Sequence, residues 1–309
     1  MELANKCLDQ YTIDQYTFNN YCTPRECVDY ALKYEHRDAD RFIVSYPRSG
    51  SKWIQYIVQL IMAGGDREVG LNEGNYTLES MGREAVDRQS GTDLAVFKTH
   101  LPLRLLPVND KARYLLAVRN PKDVIVSEYC LMREMGWHRE VGQRCDFRDY
   151  FDYYHRYYAG GTGSGGGGGG KQCWYCGDQY DYVRQYWHQL RDQPNYTVLV
   201  YEDMVSDPWR AIEKIAQFLG DQYVRRLSEV MVDPEGNCET LVDSIARQSS
   251  ITAMRAKFRG DPRVRKGVVG EWRRYFSRDE SLVIDERVRR EWSGLMGLES
   301  LWEREMRWE

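Results

Sequence analysis

No stretch of this 309-residue chain reaches the roughly 18 consecutive apolar residues that a membrane span requires. Its opening, MELANKCLDQYTIDQYTFNN, lacks the basic start and apolar run of a secretory signal. We therefore expect a soluble, cytoplasmic protein with no membrane partner. Charge of one sign is lacking as well: 43 Lys and Arg stand against 47 Asp and Glu, a formal net charge of −4. That balance argues against a general nucleic-acid binder and leaves room for a local basic pocket holding one phosphorylated molecule. No complete metal set is visible either. Cys173 and Cys176 have the spacing of a redox pair or half a metal site, but no second pair at matching spacing completes four ligands, so they read as free thiols and we expect no metal. Eight cysteines in a chain of this length need not form a disulfide framework, because the chain can bury a sizeable core without staples.

What is present is a repeated pattern of short apolar strand, loop and amphipathic helix. Residues 42–46, 94–97, 114–118 and 196–200 read as buried strands, and residues 53–61 place apolar side chains at helical spacing. Asn120 and Pro121 look like a cap and first helical position, and a further helix should run from Asp207-Pro208 to about Leu219. Strands alternating with helices predict one α/β domain over residues 1–309, with a central, mainly parallel sheet flanked by helices. Residues 1–40, with a short helix at 25–34, read as a covering segment. The run of glycines at 160–170 reads as a flexible surface loop between helices at 147–158 and 179–190.

Ligands of such sheets bind beyond the carboxyl ends of the strands, and the chemistry-bearing residues collect there. Tyr46-Pro47-Arg48-Ser49-Gly50-Ser51-Lys52-Trp53 joins the first strand to a helix amino end, where unpaired N–H groups can hold an anion. Arg48 and Lys52 add charge, Ser49 and Ser51 add hydroxyls, and Gly50 allows close backbone approach. The loop has neither the G-x-G-x-x-G turn nor G-x-x-x-x-G-K-[ST]. A nucleotide-dependent kinase would want that lysine-bearing glycine loop and a magnesium-binding carboxylate, needs this loop does not meet. Lys98 and His100 follow the second strand, and an imidazole there can take a proton from an attacking alcohol. Arg119 and Ser127 can converge on one phosphate, and Arg265-Lys266-Gly267 can close it from another side.

Five blocks in order carry a resemblance over roughly Phe42 to Phe276: YPRSGSKW (46–53), KTHLP (98–102), VRNPKDVIVS (118–127), YEDM (201–204) and RKGVVGEW (265–272). They resemble the cytosolic sulfotransferases, which move the sulfuryl group of 3'-phosphoadenylyl sulfate (PAPS) to hydroxyl or amine acceptors and release 3'-phosphoadenosine 5'-phosphate (PAP). The resemblance implies a P-loop-like phosphosulfate-binding loop from Arg48 through Ser49, Gly50 and Ser51 to Lys52, with Trp53 stacked on the adenine. It implies that Arg119, Ser127, Arg265, Lys266 and Gly267 hold the 3'-phosphate, and that Tyr201 and Ser249 place the nucleoside. Lys98 would neutralise sulfuryl oxygens, His100 would act as base, and Arg48 would stabilise the leaving oxygen in an in-line displacement that needs no metal.

The chain departs from the family at several of these places. Arg48 stands where lysine is usual and Lys52 where threonine is usual; Ile251 and Arg263 replace aromatic residues that commonly sandwich adenine, and the segment from Met254 to Arg265 is short. Arg273, Ser277, Arg278 and Leu282 fall where the family's dimer segment has other residues, leaving monomer and homodimer both open. Acceptor candidates are aromatic: Phe18, Tyr21, Tyr129, Trp137, Phe151 and Tyr154, drawn from residues 16–24, 78–81, 129–137 and 147–158, and suited to a phenol, aromatic amine or hydrophobic alcohol. Two related readings stay open: a dehydratase acting through a sulfated intermediate, and a non-catalytic nucleotide binder.

Overall fold

The computed structural model describes residues 9–66, 68–72, 74–135, 146–158, 176–232 and 236–308. Trp137, Cys173 and the glycine run at 160–170 lie outside them. Four parallel strands, β3 (Asp40–Ser45), β4 (Ala95–Thr99), β5 (Arg113–Val118) and β6 (Tyr196–Val200), form the central sheet in the order β4-β3-β5-β6. The chain leaves β3 for one edge and returns to its other side, so the strand order reverses beside β3. In open α/β sheets this is where a crevice opens at the carboxyl ends of the strands.

Strand alternation splits the core into two. Phe42, Val44, Tyr114 and Leu116 face one apolar cluster, while Ile43, Leu115 and Ala117 face the other. The second cluster is closed by α2 (Ser51–Met62), α9 (Pro208–Leu219) and α11 (Leu241–Gln248). The first receives α1 (Arg25–Lys33), α5 (Pro121–Glu134), α6 (Phe147–Tyr158) and α7 (Gln179–Leu190). Both faces of the sheet are thus covered, as a parallel sheet requires. The result is a single α/β domain with a mainly parallel sheet, the architecture the strand and helix pattern predicts. Asn120 caps α5 by accepting from Lys122 N at 2.9 Å, and Pro121 opens that helix.

The covering segment holds a hairpin that the sequence pattern did not suggest. β1 (Gln10–Ile13) pairs antiparallel with β2 (Tyr16–Asn19), Tyr11 stacks on Phe18 at 5.4 Å, and Asp14 takes a positive φ of 52° in the turn. Two short helices, α3 (Leu78–Met81) and α4 (Arg83–Asp87), lie between α2 and β4. Helix α8 (Tyr201–Ser206) follows β6 directly, α10 (Asp221–Arg226) follows α9, and β7 (Val230–Val232) pairs with β8 (Cys238–Thr240). Helix α12 (Ile251–Lys257) precedes the loop that carries Arg265.

The carboxyl-terminal part is tied to the sheet end by buried polar groups. Helix α13 (Arg278–Trp292) starts with a capping box between Ser277 and Glu280. Lys122, fully buried, donates to Ser281 Oγ at 2.7 Å and Met306 O at 2.8 Å, pairs with Asp285 at 2.6 Å, and lies over the Trp272 ring. Glu202 accepts from Asn120 N at 3.0 Å and from the Trp302 indole at 2.7 Å. Among the dimer-segment positions, Arg273 lies over Trp272, Ser277 is spent on capping, and Leu282 is exposed. Among the described residues no helix is long and apolar enough to cross a membrane, and no group of three His, Cys, Asp or Glu could hold a metal.

Candidate active site

A cavity of about 500 Å³ opens beyond the carboxyl ends of all four sheet strands. The loop after β3 enters it through Pro47 and Arg48, and Gly50, with φ of 98°, precedes α2. A side chain at Gly50 would meet the Tyr201 ring at 2.8 Å in addition to the unfavourable φ, so only glycine suits this turn. Arg48 is also left-handed, with φ of 70°. Its carbonyl oxygen accepts from Arg119 Nη1 at 3.1 Å and its Nε donates to Ser127 Oγ at 3.1 Å, so the loop after β3 and the turn into α5 are fastened together. Arg119 in turn lies 4.1 Å over the Tyr201 ring.

On the far side, Trp53 donates to Ser249 O at 2.9 Å and stands edge-on to Tyr201, at 5.8 Å. The loop after α12 returns with Arg265 and Lys266, both paired with Glu271; the Lys266 contact is 2.7 Å. Burial pushes the Glu271 carboxyl up, but its bonds to Arg265 and Lys266 outweigh that and hold it at about 2. Gly267 sits against Ile251. Asp123, in the first turn of α5, anchors this loop by accepting from Gly270 N at 2.7 Å and Trp272 N at 3.0 Å.

His100 is defined by one bond. Its Nδ1 lies 2.6 Å from Ser45 O, and since a carbonyl oxygen only accepts, Nδ1 carries the proton and Nε2 keeps its lone pair. Burial lowers its pKa to about 3, with further lowering by the charges of Lys98 and Arg48, so the imidazole is neutral. Glu79, buried on α3, accepts from His100 N at 2.7 Å. Burial likewise lowers Lys98 to about 8, though Glu79 pulls it the other way. Lys52 is lowered to about 7 by burial and then by the charges of Lys98 and Arg263.

Of the sequence-predicted donor residues, Arg48, Gly50, Ser51, Lys52, Trp53, Lys98, His100, Arg119, Ser127, Tyr201, Ser249, Arg265, Lys266 and Gly267 all line this cavity. Ser49 is buried between two lining residues. Five of the sequence-predicted donor residues carry a buried polar atom with no hydrogen-bond partner among the described residues: Ser49 Oγ, Lys52 Nζ, Arg119 Nε, Ser249 Oγ and Arg265 Nε. Each is able to donate, and unpaired buried donors are costly enough that such a set at and beside one cavity suits a ligand rich in oxygen acceptors. Ile251 and Arg263 line the cavity as well; Arg263 is held by Asp261 and by Asn72 at 3.0 Å.

The aromatic acceptor candidates are placed elsewhere. Phe18 is packed in the core and Tyr21 is exposed; Tyr129 meets Phe147 edge-on at 5.3 Å, Phe151 packs on Phe276 at 5.3 Å, and Tyr154 is buried. None of these five lines the cavity. The same segments contribute different residues instead: Cys22, Ser80, Leu131, Met132 and Met135. Glu128 also lines the cavity, and Glu79 and Asp123 hold the backbone of His100 and of the loop after Gly267; the motifs did not single out these three. Asp123 and Glu128 lie within or beside the block at 118–127, and their burial is the signal that distinguishes them.

A sulfotransferase domain model matches residues 38–297, most of the chain. The chain belongs to the sulfotransferase family. It is an enzyme of that class. Among curated relatives, sulfotransferase 1C2 of Oryctolagus cuniculus is 29% identical, with 85% of this chain and 86% of the relative covered. The 3-alpha-hydroxysteroid sulfotransferase of Cavia porcellus is 26% identical, with 82% and 84% covered. Among solved structures, mouse sulfotransferase SULT7A1 complexed with PAP matches with a TM-score of 0.69 at 20% identity, over 95% of this chain and 97% of that one. Retinol dehydratase in complex with retinol and PAP matches with 0.68 at 19% identity, over 95% and 94%. Likenesses at this identity show the fold, and the family model carries the membership.

Proposed function

We propose that this sulfotransferase takes its sulfuryl group from PAPS, releases PAP, and transfers the group to a hydroxyl or amine of a small hydrophobic acceptor. The observation that carries the reading is the set of five buried donors at or beside one cavity that have no hydrogen-bond partner among the described residues, because a phosphosulfate, a nucleoside and a 3'-phosphate together supply acceptors for such a set. The amino end of α2 and the loop from Arg48 to Lys52 hold the phosphosulfate, and Trp53, Tyr201 and Ser249 seat the nucleoside. Arg119, Ser127, Arg265, Lys266 and Gly267 hold the 3'-phosphate. These residues lend a positive field without a metal.

His100 accepts the acceptor's proton on Nε2 as the oxygen attacks sulfur and the bond to the phosphate oxygen breaks. Charge then builds on the leaving oxygen and on the sulfuryl oxygens, where Arg48 and Lys98 stabilise the transition state more than the ground state. Hydroxysteroid sulfotransferases among the relatives, and a dehydratase solved with retinol, act on or hold apolar alcohols by name, which supports an acceptor of that size and polarity. The experiment is a panel of phenols, amines and apolar alcohols incubated with PAPS, read by mass spectrometry. A sulfate ester or sulfamate is expected; a dehydrated product would identify the eliminating reaction, and PAP binding without any product would leave a nucleotide binder.

Lys52 makes this site pH-sensitive in a way that can be measured. Bringing an anion to Lys52 raises its pKa above the free value of about 7, so its contribution to binding is complete below that pH and is lost as pH rises through the bound-state value. Calorimetry of PAP binding near pH 8 in buffers of differing ionisation enthalpy is expected to show proton uptake, reduced in Lys52→Met. Equal uptake in both proteins would remove Lys52 from the anion site.

A further inference from the structure

Residues 298–308 follow the stretch that the sulfotransferase domain matches, yet they are tied to three elements that carry or adjoin cavity-lining residues. Lys122, in the first turn of α5, donates to Met306 O at 2.8 Å. Trp272, which follows the loop carrying Arg265, donates its indole N–H to Glu305 O at 3.1 Å. Both of these ties end on backbone oxygens. The third joins two side chains: Trp302, 2% exposed, donates its indole N–H to Glu202 Oε2 at 2.7 Å, while the other carboxylate oxygen, Oε1, accepts from Asn120 N at 3.0 Å. Glu202 directly follows Tyr201 and Asn120 directly follows Arg119, so one buried carboxylate links the elements that present these two residues to the cavity.

Glu202 and Arg119 already feel one another. Burial pushes the Glu202 carboxyl up to about 7, and the Trp302 bond and then the Arg119 charge draw it back down. A buried carboxylate near a buried guanidinium gains by pairing with it, because each charge relieves the cost of burying the other. Here both carboxylate oxygens are taken by other donors, and Arg119 Nε has no hydrogen-bond partner among the described residues. Resting on the assignment of Arg119 to the 3'-phosphate above, we infer that Trp302 is a positioning residue for donor binding: its indole holds Glu202 off Arg119 and so keeps that guanidinium for the phosphate. With the indole gone, Oε2 loses its donor, and Arg119 is the cation whose charge already acts on Glu202. The carboxylate then competes with the nucleotide for the same guanidinium.

The test is calorimetry of PAP and AMP binding near pH 8, above the Glu202 value of about 7, with the wild type, Trp302→Phe and the double variant Trp302→Phe/Glu202→Gln. Phenylalanine keeps an aromatic ring at 302 and removes the N–H. Trp302→Phe is expected to weaken PAP by about 10-fold, the scale of one hydrogen bond to a charged group, and AMP by less than about threefold. Adding Glu202→Gln should return most of the PAP affinity, since an amide carries no charge with which to compete for Arg119. A tail that only holds the fold together gives another pattern: a lower Tm, PAP and AMP weakened alike, and no rescue by glutamine. That pattern, or unchanged PAP binding in Trp302→Phe, overturns the inference. If the phenylalanine variant does not fold, Trp302→benzothienylalanine, which keeps the fused rings and lacks the N–H, takes its place with the same expectations. A wild type without preference for PAP over AMP would fail the 3'-phosphate reading and this inference with it, whereas a wild-type preference that Trp302→Phe leaves untouched overturns the inference alone.

Discussion

Replacing His100 by alanine is expected to lower turnover by about 10²-fold or more while PAP affinity stays near that of the wild type. The expectation rests on the bond from Nδ1 to Ser45 O, 2.6 Å long, which leaves Nε2 as the imidazole's only lone pair in a ring that lines the cavity. Alanine removes the lone pair and the Ser45 bond together, so His100→Asn serves as the companion, since its amide can donate to Ser45 O without being able to take a proton. Comparable losses in both variants assign the effect to proton acceptance. Recovery in the asparagine variant would make the Ser45 contact the source. A second readout is pH. The free imidazole is lowered to about 3 first by burial and then by Lys98 and Arg48, and the anionic donor offsets those two charges when it binds. The acid limb of kcat should therefore lie above pH 3, with turnover lost as pH falls through the bound-state value, and it should be absent from the residual activity of His100→Ala. Full turnover in His100→Ala would make the residue structural.

The sequence displayed the sheet, and the clustering of its strand-end motifs, because both are written in local patterns. Strand 196–200 and helices 147–158 and 179–190 match the structure residue for residue, and fourteen of the residues expected to bind the sulfuryl donor line one cavity. A parallel sheet gathers the carboxyl ends of its strands at one edge, so a motif at a strand end needs no long-range information to be placed. Which side chains of the expected acceptor segments reach that cavity was not legible in the same way. Tyr129 and Leu131 are two residues apart on α5, which separates them by about 200° of helix, and only tertiary packing decides which face meets the cavity. Aromatic character pointed to Tyr129, yet it is the side that packs on Phe147, Tyr150 and Tyr275. The β1-β2 hairpin escaped for a related reason: its turn is Asp14-Gln15, without the glycine that marks most tight hairpins.

Removing Arg119 is expected to weaken binding of PAP by about 10²-fold or more, the scale of deleting one partner of a buried charge-assisted pair, and to weaken AMP by less than about threefold. Arg119 is 6% exposed, and its guanidinium is already oriented by the Arg48 carbonyl and the Tyr201 ring while Nε has no hydrogen-bond partner among the described residues. A planar group fixed in this way loses little freedom when a phosphate arrives, which favours a large and ligand-specific contribution. The same anchoring creates the rival explanation, because Arg119→Ala also releases the Arg48 carbonyl and could loosen the whole loop from 46 to 53. The two nucleotides separate these effects. Both use the loop at the amino end of α2, but only PAP carries the 3'-phosphate, so a loosened loop penalises both equally, whereas loss of a 3'-phosphate ligand penalises PAP alone. Arg119→Lys sharpens the comparison: it keeps the charge but gives up the fork, and an intermediate loss confined to PAP is expected. Equal losses for PAP and AMP would assign Arg119 to holding the loop and leave Ser127, Arg265 and Lys266 to bind the 3'-phosphate.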